Sequence, residues 1–407
     1  MIKKVILDKS ERLQKVPPYS LFEMERMKKR LEEKKVEIID LGEFSPDLKM
    51  DPSIISEISE SVKDEKIFKD ASFDEEKKLK EGICRWFLKR YSVKLNPQNE
   101  ILVMPGIKEV FSGLALSFLN PGDLAIIPDP ANPLYFSACV LAGGEVQKIP
   151  IWERNDFLPN LKTLPEKVLK KAKLLFLNYP HNPTSSMADI QFFKDMVEIT
   201  SANNIIVIHD ASFNEIYYDN HLPLSLLQID RAKKIGVEFH SISYTYNLPG
   251  IKLGFLVGNK DIILGLESEH KTFFSQENKL SLKIALLCLE NYSEIIRKNN
   301  CQYAKRREFL TEKLLELGWK SRKPRATPFF WVQIPHGYSS LGFARMLLRK
   351  AGVIVSCGSD FGENGEGYIR WTLNCSQEKL NEAIERIKRH SHLWQPSYRP
   401  KRKKLEG

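Results

Sequence analysis

No apolar run in this sequence is long enough to cross a membrane as a helix, and its first residues, MIKKVILDKSERLQK, lack the apolar core of a secretory signal. The six cysteines, at 84, 139, 288, 301, 357 and 375, show neither CxxC spacing nor histidine clusters beside them. That argues against a disulfide frame or a zinc site and for the reduced core thiols of a cytoplasmic protein. Internal repeats and long low-complexity linkers are absent as well. The formal charge of +10 invites a nucleic-acid partner, yet the lysines are dispersed and no recognition motif accompanies them. Short runs such as Lys401-Arg402-Lys403-Lys404 carry much of the excess and read as a solvated tail. What remains is ordinary: 407 residues, 42% hydrophobic and 28% charged, with room for two or three domains of a soluble protein.

Periodicity then orders the chain. Proline 17 and 18 precede a charged helix from Leu21 to roughly Lys35, and 36–42 reads as a short strand. Helical spacing recurs over 53–66 and 76–91, the second placing Leu79, Ile83, Trp86 and Phe87 on one face. Short apolar runs at 101–104, 124–127, 174–177 and 205–208 alternate with helical segments at 107–119, 133–142 and 189–202. Such alternation predicts an α/β fold with a mostly parallel sheet between helices. Long helices fill 259–317, and strands near 329–332, 353–355 and 368–373 with a closing helix at 377–389 predict a smaller α+β unit. The expected division is an N-terminal arm and part of the small domain over 1–52, a large domain over 53–295, a small domain over 296–392 and a basic tail over 393–407.

The segment HSISYTYNLPGIKLGF (240–255) places polar side chains between two apolar runs, at a strand end where open α/β sheets keep ligand sites. It resembles the lysine loop of the class I/II aminotransferases, enzymes of fold type I that use pyridoxal phosphate (PLP). Their pattern runs close to HSLSKTYNMTGWRIGF, with the lysine forming the Schiff base to the cofactor. Other stretches resemble the family in the same order: GIKEVFSGLALSFLNPGD (106–123), IPDPANPLY (127–135), LLFLNYPHNPTSS (174–186) and HDASFNEI (209–216). The resemblance covers about residues 15–390 and implies a PLP-transferase fold, with a seven-stranded type of sheet and two-domain subunits paired as dimers. It also implies roles. Asp210 would hold the proton on the pyridine nitrogen, Asn182 would donate to the ring's phenolic oxygen, and Arg370 would clamp a substrate carboxylate with its guanidinium fork. Ser241 and Lys108 match phosphate contacts, aided by the N-terminus of the 107–119 helix. Each has a plainer counterpart: a strand-end cap for Asp210, a turn for Asn182, a salt bridge for Arg370.

Departures from the pattern are as informative. Tyr244 stands at the lysine position, so neither the covalent link nor that base is available. Lys252 replaces the phosphate-clamping arginine and keeps charge without the fork. Asn132 replaces the aromatic that stacks on the ring, Phe213 a tyrosine, Ile107 a small polar residue and Phe44 a glycine on the substrate side. Asp70 stands, in a weaker alignment, where a neighbouring subunit's tyrosine would meet the phosphate. Two or three lost contacts of about 1 kcal/mol each weaken binding roughly a hundredfold. The expectation is therefore a pseudoenzyme: a chain that has lost transamination and serves as a binding, regulatory or scaffolding subunit. It would have no cofactor, form a homodimer or pair with a related aminotransferase, and keep a small carboxylate ligand at Arg370. The alternative is an active aminotransferase, or another enzyme using PLP or pyridoxamine phosphate, that works without the usual lysine. Only in that case is PLP expected, held weakly or without a covalent bond.

Overall fold

The computed structural model describes residues 8–17, 20–273 and 277–394, so the basic run at 401–404 lies outside the described residues. Strand β1 (Ile39–Asp40) precedes the seven strands of the large sheet, which are β2 (Ile101–Met104), β3 (Leu124–Asp129), β4 (Glu145–Pro150), β5 (Ala172–Asn178), β6 (Ile206–Asp210), β7 (Gly236–Ser241) and β8 (Gly254–Gly258). They lie in the order β2-β8-β7-β6-β5-β3-β4. All adjacent pairs are parallel except those that β8 makes with β2 and β7. The mostly parallel sheet of a fold type I transferase is thus present.

Helices cover both faces, which is why β2, β3, β7 and β8 are buried along their whole length. The Ile107–Phe118, Pro133–Leu141 and Lys260–Phe273 helices share one apolar cluster with the sheet. On the opposite face, the Phe73–Tyr91 and Lys279–Glu290 helices pack through Leu79, Ile83, Trp86, Phe87, Leu282 and Cys288. Sequence spacing alone starts the first of these at 76. The capping box of Ser72 and Glu75 draws its start back to Phe73, and Ser92 in the left-handed region stops it.

Two elements depart from the sequence expectation. The strand expected over 36–42 contracts to β1, and β4 was not foreseen at all. Its residues Glu145, Gln147 and Lys148 give no apolar run, because β4 is an edge strand held by parallel pairing to β3 and solvated on its other flank.

The smaller unit holds β9 (Phe329–Gln333), β10 (Val353–Ile354), β11 (Ser356–Cys357) and β12 (Tyr368–Thr372). β12 lies between β11 and β9, and β10 pairs in parallel with β1, which brings the N-terminal segment into this unit. The Ser20–Glu32, Tyr292–Glu316, Ser340–Ala351 and Gln377–Lys388 helices surround these strands. One cluster joins Met24, Ile39, Leu310, Phe343, Trp371 and Ile384 in its core. No helix among the described residues is long and apolar enough to cross a membrane.

Candidate active site

Parallel pairing brings the carboxyl ends of β5, β6 and β7 into line. Asn178 lies opposite Asp210, and Asp210 opposite Phe239. Asp210 is fully buried and its carboxylate is surrounded by donors. Ser212 gives Oδ1 its N–H at 3.0 Å and also its hydroxyl, and the Tyr135 hydroxyl donates to Oδ2 at 2.5 Å. Burial raises Asp210 above the usual aspartate range, against the pull of those hydrogen bonds. A cation placed against it would favour the ionised form.

From Asp210 a polar chain runs to the smaller unit. Asn178 donates from Nδ2 to the Asp210 carbonyl at 2.8 Å and accepts at Oδ1 from the N–H of Asn182, also at 2.8 Å. Arg370, on β12, donates from Nη1 to Asn182 Oδ1 at 2.7 Å. Its Nη2 reaches the Gly42 carbonyl at 2.6 Å and Ser356 Oγ at 3.1 Å. The guanidinium also lies over the rings of Phe329 and Phe361, at 4.4 and 4.9 Å from their centroids. Arg370 is therefore held flat against the mouth of the large-domain strands.

Tyr244 sits in the one-turn Ile242–Thr245 helix, whose N-cap is Ser241; Ser241 Oγ accepts from the Tyr244 N–H at 3.2 Å. The Tyr244 ring is parallel to Phe213, 5.1 Å away with 7° between planes, and Phe44 meets it edge-on at 5.4 Å. Burial, then the charge of Asp210, raises the phenol above its ordinary range, and Arg370 pulls the other way. Tyr244 Oη accordingly keeps its proton at neutral pH.

The other expected site residues lie at the margin. Asn132 uses its side chain to cap the Pro133–Leu141 helix, accepting from the Leu134 N–H at 3.1 Å, with Pro133 in the first turn. The pair Asn132-Pro133 carried that signal in the sequence. Lys108 is exposed in the first turn of the Ile107–Phe118 helix, whose N-cap, Gly106, offers no side-chain cap and whose first turn also carries Glu109. Lys252 is exposed and lines a cavity of about 370 Å³ with Gly250, Glu277, Asn278 and Ser281. Burial and the nearby Glu109 and Glu76 push Glu277 up to about 7. Asp70 pairs through its backbone with Asn278, on the rim of the same cavity.

One group beneath the site escaped the sequence reading. Register sets His209 of β6 opposite Glu238 of β7, and the two-residue period puts His240 on the same face as Glu238. Glu238 Oε2 bonds His209 Nδ1 at 2.8 Å and the Leu226 N–H at 2.6 Å, and Oε1 bonds His240 Nε2 at 2.6 Å. Burial acts to raise Glu238, but the bonds and charges of the two histidines outweigh it and hold the carboxyl far below the usual range. The residues that follow the two histidines are Asp210 and Ser241. An acid between the apolar Val237 and Phe239, two residues before a histidine, was the signal.

The profile of the aminotransferase class I and II family matches residues 36–387. The chain belongs to the class I and II aminotransferase family. Within it, the LL-diaminopimelate aminotransferase of Syntrophobacter fumaroxidans is 38% identical over 94% of this chain and 99% of that protein. The protein of the same name from Aquifex aeolicus is 35% identical over 93% and 98%. Among solved structures, substrate-bound BacF from Bacillus subtilis superposes with a TM-score of 0.90 at 32% identity, covering 95% of this chain and 98% of that one. These aminotransferase relatives overturn the pseudoenzyme expectation. Near full-length similarity to proteins named as aminotransferases favours the alternative, an active enzyme. The expectation of no cofactor falls with it, because the family is one of cofactor-dependent transferases. The physical reason is visible in the site. The kept residues Arg370, Asn182 and Asp210 are joined here, Arg370 bonding the Asn182 side chain and Asn178 linking the Asn182 main-chain N–H to the Asp210 main-chain carbonyl.

The residues present fit PLP or its amine in part. A buried carboxylate at a strand end, an amide beside it and an uncapped helix start suit a pyridine ring, a phenolic oxygen and a phosphate. Position 244 carries a phenol, which forms no imine.

Proposed function

We propose that this chain is an enzyme of amino-acid metabolism that binds PLP or pyridoxamine phosphate non-covalently and acts on α-amino or α-keto acids without a lysine at position 244. The observation that carries this reading is the Arg370–Asn182–Asn178–Asp210 chain, which links a carboxylate clamp to the main chain of a buried aspartate at the carboxyl end of the sheet's central strand. When bound, the cofactor would supply an electron sink for charge developing beside the substrate carboxylate. Asp210 would keep the ring nitrogen protonated, and a cation there offsets the burial of its carboxylate. With its Oδ1 taken by Arg370, Asn182 has the Nδ2 donor to offer the phenolic oxygen. The first turn of the Ile107–Phe118 helix, with Lys108, Ser241 and Lys252, would hold the phosphate. Arg370 orients the substrate through its carboxylate. Tyr244 contributes a proton at Oη and not a base, since its phenol is raised.

Gel filtration after incubation with pyridoxamine phosphate tests this reading. One cofactor retained per chain, and loss of retention in Asp210→Ala, are expected; equal and negligible retention in both would refute it. The protein is further read as a cytoplasmic dimer, of two copies or of one copy with a related aminotransferase. Exposed Phe68, Phe73 and Phe273 support a contact surface, and free cysteines suit a reducing compartment. Light scattering at micromolar concentration should give twice the chain mass, and a monomer would remove the claim.

A further inference from the structure

Phe44 is the half-buried centre of an aromatic group. Its ring lies 5.4 to 6.2 Å from those of Tyr244, Phe213, Phe329 and Tyr303. Three of the four contacts are edge-to-face, the favoured geometry between aromatic rings. Arg370 closes the same group by stacking on Phe329. The backbone that carries Phe44 is pinned on both sides: Gly42 and Glu43 give their carbonyls to Arg370 and Asn374, and Leu48 exchanges two bonds with Asn247. A change at Phe44 is thus a swing of the side chain, not of the loop.

At the Tyr244 end of this box the charge is one-sided. The charged groups that bear on the Tyr244 phenol are Asp210, Arg370 and Glu43, one cation against two carboxylates. Once Arg370 holds one carboxylate of a ligand, a second carboxylate would meet rings and Glu43, because the further cation beside the group, Arg306 over the Tyr303 ring at 5.6 Å, is already paired with Asp47 at 2.8 Å. An apolar ring, in contrast, would find the contacts that Phe44 now makes.

We infer that Phe44 occupies the place of a ligand side chain, and that the site takes an α-carboxylate bearing an apolar, preferably aromatic, side chain that displaces it. Phe44 is then the specificity-determining residue of the substrate side. The inference rests on the proposed function for the role of Arg370, and it parts from the diamino dicarboxylate named for the relatives.

Calorimetric titration of the whole protein with phenylpyruvate, 2-oxoglutarate and LL-diaminopimelate tests it, beside a separate titration with pyridoxamine phosphate. Phenylpyruvate should bind about tenfold or more tightly than either other ligand, the effect of one or two aromatic contacts. In Phe44→Ala that preference should widen severalfold, because no ring has to be displaced. Phe44→Leu, which keeps the apolar packing, should lie between and guards against a folding defect. A preference for 2-oxoglutarate or LL-diaminopimelate, no preference, or an unchanged ratio in Phe44→Ala would overturn the inference even if pyridoxamine phosphate binds. Phenylpyruvate binding without pyridoxamine phosphate binding would instead remove the proposed function and leave the subsite standing. Failure of all ligands removes both.

Discussion

Arg370→Ala is expected to abolish binding of α-keto acids and to lower stability by about 3 kcal/mol, the scale for removing one partner of a buried, hydrogen-bonded charge group. The stability loss has named sources. Asn182 Oδ1 and the Gly42 carbonyl lose their donor, and the faces of Phe329 and Phe361 lose the guanidinium stacked on them. Arg370→Lys separates charge from geometry. An ammonium cannot reach Asn182, Gly42 and a ligand carboxylate as a planar fork does, so keto-acid binding should fall at least tenfold while much of the stability returns. Urea unfolding and calorimetry measure both quantities. A lysine variant that binds as the native protein does would show that Arg370 acts through charge alone.

Glu238→Ala has the second large expected effect. It leaves His209, His240 and the Leu226 N–H without their common acceptor in a place that water does not reach. A loss of ~3–5 kcal/mol follows from breaking such a group on one side. Its pH dependence has a definite sign. The folded protein holds Glu238 below the ordinary glutamate value, so its contribution is complete above about pH 4.3 and declines as pH falls toward the folded value. Acid unfolding of the native protein should therefore steepen in that range, and the variant should lack that part of the slope. Because Asp210 and Ser241 follow the two histidines, retention of pyridoxamine phosphate should drop too. Glu238→Gln can accept from only one imidazole, and should recover part of the stability but less of the retention.

Much of this architecture can be read from residues. Buried strands such as β2 and β3, and the nearly buried β5 and β6, appear as short apolar runs, and the helices between them show their buried faces. β4 does not, because an edge strand is made by backbone pairing and needs no apolar pattern. The motifs around Asn182, Asp210 and Tyr244 were legible because these residues sit at strand ends, close to their sequence neighbours. What the residues did to one another was not. Asn132, expected in place of a stacking ring, uses its side chain as a helix cap. Phe44, Phe213 and Tyr244 looked like three separate losses, from segments far apart in the chain, and they form one aromatic group. Glu238 needed the register of β6 against β7 before His209 could be seen beside it. The pseudoenzyme expectation arose from replacements in separate segments counted together against one ligand, and the aminotransferase relatives overturn it.

The central claim is that a cofactor is bound here without a covalent bond, and intact mass measurement tests it most directly. The protein is mixed with one equivalent of PLP, freed of excess by gel filtration and divided, one half being treated with borohydride before both are denatured. The account predicts the unmodified chain mass in both halves, with one cofactor per chain recovered in solution. A borohydride-dependent mass increase on a lysine of this chain, or protein that emerges from the column without cofactor, would contradict it.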